Sequence, residues 1–70
     1  MVGRFEKNNV VRPAPKVRIP FKLGTRRVGV VRFAYDHDQP AYDVEFFQCG
    51  RSLGTLYLAY DELEPLLLQT

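Results

Sequence analysis

From Ala41 to Phe46 the chain alternates apolar Tyr42, Val44 and Phe46 with charged Asp43 and Glu45. A period of two is the signature of a strand with one face buried and the other wet. A helix would scatter the same residues around its circumference. The neighbouring segments agree. Residues 26–35 are rich in β-branched and aromatic side chains over a strand's length, with Gly29 marking a bend, a bulge or a close backbone approach. In Leu53–Ala59, Leu56 and Leu58 share one face and Tyr57 takes the other. Upstream, Pro13, Pro15 and Pro20 each remove a backbone donor and disfavour helix just before them.

These segments predict an all-β chain of about five short strands. Val10–Arg12 forms the first, and Val17–Ile19 is a further extended piece within a long loop that closes at Gly24. The strand over 26–35 ends in the polar turn Asp36-His37-Asp38-Gln39-Pro40. Ala41–Gln48 and Ser52–Ala59 pair as a hairpin through the tight connection Gln48-Cys49-Gly50-Arg51, where Gly50 supplies a positive φ. Tyr60–Leu63 makes one helical turn that aims Leu63 at the core, and Pro65 stops it, leaving Leu66–Leu68 as the last strand. The expected core face holds Tyr42, Val44, Phe46, Leu56 and Leu58, joined by Val28, Val30 and Leu63.

The spacing Gly29-Val30-Val31, then Tyr42-Asp43-Val44-Glu45-Phe46, Gly50, Leu56-Tyr57-Leu58 and a closing Asp61-Glu62-Leu63-Glu64 resembles the SH3-like small-barrel superfold, and most of all small bacterial SH3-like proteins. The likeness covers most of the chain after Val10. It implies a five-stranded SH3-like β-barrel over residues 9–70, preceded by an N-terminal arm over 1–8, with a long N-terminal loop and one helical turn before the last strand. Residues 22–35 also loosely resemble the glycine-containing strand of KOW-type and Tudor-like barrels, some of which bind nucleic acid. The plasmid-borne type II dihydrofolate reductases are short SH3-like chains too, a resemblance that would make this an oligomeric enzyme. They carry a Val-Gln-Ile-Tyr pore motif where this chain has Leu56-Tyr57-Leu58-Ala59, so the polar group needed for that chemistry is missing.

At 70 residues a domain buries only about 60% of the surface its unfolded chain exposes, and its stability margin is thin. A single cysteine, Cys49, excludes an internal disulfide, and with no basic-then-apolar leader at Met1–Glu6 the expected setting is the cytoplasm. The formal net charge of +2 conceals an asymmetry: residues 1–35 hold nine basic side chains against Glu6 alone, and residues 36–70 hold seven acidic ones against Arg51 alone. Cross-strand pairing can cancel this locally, or it can leave a basic face.

Catalytic and metal chemistry find little to build on. His37 between Asp36 and Asp38 lacks the further histidine or cysteine that a metal site draws on. Cys49 has no base placed beside it to form a nucleophile. Asp61, Glu62 and Glu64 read as a solvated face, and Gly24 with Gly29 lacks the lysine-serine ending of a phosphate loop. No catalytic, cofactor-binding or metal-ligating residue is therefore expected.

The expected role is that of a non-catalytic interaction module working through protein–protein contact or self-association. Phe46 and Phe47 face opposite ways, as do Val30 and Val31, so both sheet faces carry apolar surface; Phe47, Val31 and Tyr57 are the expected association surface. The alternative is a nucleic-acid-binding barrel in which Lys22, Arg26, Arg27 and Arg32 track phosphates while the interleaved aromatics Phe21, Phe33 and Tyr35 stack on bases.

Overall fold

A computed structural model describes residues 5–21, 28–36 and 38–65. Five antiparallel strands form one sheet: β1 (Val10–Pro13), β2 (Gly29–Tyr35), β3 (Ala41–Gln48), β4 (Arg51–Ala59) and β5 (Leu63–Pro65), in the order β4-β3-β2-β1-β5. A single 3-10 turn, Tyr60–Glu62, immediately precedes β5. Its entry is held by Glu62, whose carboxylate accepts the Ala59 amide at 2.8 Å. The all-β class and the near absence of helix follow the expectation, but β4 and β5 are the edges of the sheet and do not pair to close a barrel.

The β3–β4 hairpin is the backbone of the fold. Gln48 pairs with Arg51, leaving Cys49 and Gly50 as a two-residue loop with φ of 52° and 76°. Positive φ at both central residues is what a type I′ turn requires, and its twist matches that of the strands it joins. Further along, Val44 faces Leu56 and Tyr42 faces Leu58. Tyr42, Val44 and Leu58 make the core with Val11, Val31, Phe46 and Leu63, and half-buried Leu56 packs against it together with Phe5, Val17, Ile19, Phe21 and Tyr60.

Register corrects the expected core in β2. Gly29 pairs with Phe46 and Val31 with Val44, so Val31 enters the core while half-buried Val30 pairs with Glu45 on the other face. Space explains why position 29 lacks a side chain: a Cβ there would lie 2.6 Å from Val44 Cγ1. The register then slips between Val31 and Phe33, and Phe33 pairs with Asp43. This bulge at Arg32 reverses the facing of every residue after it, so that odd-numbered residues point inward before it and outward beyond it.

Residues 17–19 lie in a loop and join no strand; Val17 donates its amide to the Ala14 carbonyl in a turn, and its side chain packs on the core. The last strand among the described residues is Leu63–Pro65, and the strand expected at Leu66–Leu68 lies outside them. Of the arm, residues 5–8 belong to the same packed body: Phe5 meets Tyr42 edge-on at 5.5 Å and donates its amide to the Tyr42 hydroxyl, and the Asn8 amide bonds the Val31 carbonyl.

Candidate binding face

The sheet face opposite the core is built by three cross-strand rows. Val30, Glu45 and Thr55 form one; Phe33, Asp43 and Tyr57 form the next; Tyr35, Ala41 and Ala59 form the third. Directly opposed residues share a face, so register alone puts Asp43 between two aromatic side chains. Tyr35 bridges them. Its ring lies 4.7 Å from Phe33 and 5.2 Å from Tyr57, both edge-on, and its hydroxyl donates to Asp43 Oδ2 at 2.8 Å. Such edge-to-face contacts are favoured by the ring quadrupoles and fix the cluster's shape. Phe33 and Tyr57 remain 54% and 59% exposed, the most open of the large apolar side chains among the described residues.

The Asp43 carboxylate keeps Tyr35 protonated: the hydrogen bond to Asp43 foremost, then desolvation and the charges of Asp43 and Tyr57, raise its phenol above the usual 10.0. A second group lies toward the hairpin. Arg32 Nε donates to Glu45 Oε1 at 2.7 Å, Ser52 Oγ donates to Glu45 Oε2, and the guanidinium sits 5.9 Å from the centre of the Phe47 ring. The bonds from Ser52 and Arg32 hold the Glu45 carboxyl below its ordinary 4.5.

The residues expected to carry binding are thus distributed unevenly. Tyr35, Tyr57, Phe47 and Arg32 come together on this face. Val31 does not: it is 0% exposed and belongs to the core, because the bulge lies after it and not before it. Lys22, Arg26 and Arg27 lie outside the described residues, as does His37. Phe33 and Tyr35 are expected from the sequence as neighbouring aromatic contacts, but Asp43 is not expected as a contact residue. The spacing Phe33-x-Tyr35 signals two rings on one face, but nothing short of the register shows that they meet Asp43 and Tyr57.

Among the described residues, no group of three His, Cys, Asp or Glu side chains is placed to hold a metal ion. No described helix is long and apolar enough to cross a membrane. The chain matches no protein-family model, no curated protein and no solved structure at a significant level.

Proposed function

We propose that this protein is a non-catalytic association module whose contact surface is the outer face of β2, β3 and β4. The observation that carries the reading is the ring cluster of Phe33, Tyr35 and Tyr57, more than half of two of its rings exposed on a hydrogen-bonded sheet. Rigid aromatic side chains offer large contact area at low cost in side-chain entropy, and they are favoured at the centres of interfaces for that reason. The cluster rests on paired backbone rather than on a loop, so it is ordered before a partner arrives.

The fold reading that accompanies it is a half-open SH3-like barrel. It is supported by the strand order, by the 3-10 turn directly before β5, and by the pairing of β5 with β1. The nucleic-acid alternative draws less support from the described face, where Arg32 is engaged by Glu45.

A photo-crosslinking side chain at position 57, with exposed Arg18 as the control position, tests the function in cells that make the protein. The expected result is a discrete crosslinked species, a second copy or one partner protein, from position 57 and not from 18. Equal or no crosslinking at both positions would overturn it.

A further inference from the structure

Asp43 and Glu45 both stand on the outer face of β3, and they are treated differently. Glu45 is matched by Arg32 and Ser52. Asp43 has no lysine or arginine partner among the described residues; Tyr35 bonds Oδ2 and leaves Oδ1 without a hydrogen bond there. A half-buried carboxylate ringed by aromatic side chains is a costly arrangement unless something offsets it, since the rings displace water that would solvate the charge. Each ring also carries a negative face, so the rings and the carboxylate favour the same kind of ligand.

We propose that the cluster of Phe33, Tyr35, Asp43 and Tyr57 receives a cationic side chain, an arginine, from the protein that docks on this face. This deepens the association reading and rests on it. A guanidinium suits the site for two reasons: its plane lies flat on an exposed ring such as Tyr57, and its N–H groups reach the unused Oδ1 of Asp43. Tyr35 positions Asp43 for this contact through the bond from its hydroxyl to Oδ2. A nucleic-acid ligand would stack bases on the same rings but would bring its phosphates toward the Asp43 charge, which disfavours it.

The test is titration of the isotope-labelled protein with the peptide acetyl-Gly-Gly-Arg-Gly-Gly-amide, with the same peptide carrying citrulline in place of arginine, and with a ten-nucleotide oligothymidylate. The arginine peptide is expected to move the amide and ring resonances of residues 33, 35, 43 and 57, and to bind about fivefold more tightly than the neutral citrulline peptide. Asp43→Asn is expected to remove that difference. Tyr57→Leu, at a position 59% exposed and therefore safe for folding, is expected to weaken the arginine peptide as well. Equal binding of both peptides, shifts confined to other residues, an arginine preference unchanged in both variants, or a stronger response to oligothymidylate would each overturn the proposal. Should the arginine preference fail while crosslinking from position 57 succeeds, the docking face stands and only its cationic ligand is wrong.

Discussion

Tyr35 and Asp43 are joined across two strands by a hydrogen bond from the phenol to Oδ2 at 2.8 Å, and each holds the other in the centre of the exposed aromatic face. A donor that must stay protonated ties that contact to alkaline pH. Because the folded-state value of Tyr35 is raised above 10.0, its contribution to stability is complete below pH 10 and is lost as pH rises through the folded value. Ring-carbon NMR resolves this tyrosine from Tyr42, Tyr57 and Tyr60. Tyr35 is expected to titrate above 10 in the parent and to move back toward it in Asp43→Asn; an unchanged midpoint would show that Asp43 is not the cause.

At the acid end the corresponding group is Glu45. Its carboxyl is lowered below 4.5 by bonds from Ser52 and Arg32, so its contribution is present above pH 4.5 and is lost as pH falls through the lower folded value. Urea unfolding from pH 7 to pH 3 should therefore show a steeper acid loss in the parent than in Glu45→Gln. Identical pH profiles for the two proteins would remove Glu45 from the account.

Register in β2 can be tested by two adjacent truncations. Val31→Ala leaves a cavity in the core and should cost on the order of 2 kcal/mol, whereas Val30→Ala, on the outer face, should cost about 0.5 kcal/mol. Chemical denaturation measures both. The reverse ranking would mean that β2 is shifted by one residue.

The hairpin loop offers a gain. Cys49 sits at a φ of 52°, a conformation that side chains other than asparagine, aspartate and glycine adopt at a cost. Cys49→Asn creates the Asn-Gly pair favoured in type I′ turns and should stabilise the protein by about 0.5 to 1 kcal/mol, read as a higher melting temperature.

Much of this fold is legible in the sequence because its signals are local. The alternation in Ala41–Phe46 and the glycine at 50 each report on their own neighbourhood, and the hairpin follows from them; the proline at 65 does not stop the helical turn, which already ends at Glu62, and Pro65 lies within β5, paired with Val11. What depends on pairing between distant segments is not legible. The assignment of Val30 to the core and Val31 to the surface fails for one reason, that the parity of β2 is set by where Gly29 fits against Phe46. The bulge at Arg32 then undoes that parity, so Phe33 and Tyr35 lie outside although they share it with Val31. The binding face is a product of that slip. Its charges were equally hidden, because the asymmetry between the two halves says nothing about Arg32 meeting Glu45 while Asp43 goes without a cation among the described residues.

The pairing of β1 with β5 joins Val11 to Pro65, Arg12 to Glu64 and Pro13 to Leu63, so the first of the described strands is completed by the last of them. As the chain folds, the meander β2-β3-β4 can form first, since its contacts are local. β1 then keeps one edge open until Leu63–Pro65 docks on it. Until that happens the partly folded chain presents an extra strand edge, a template for pairing with a neighbouring chain. Conditions that delay the docking of β5 would prolong that exposure, and misassembly rather than lost activity would be the first sign of it.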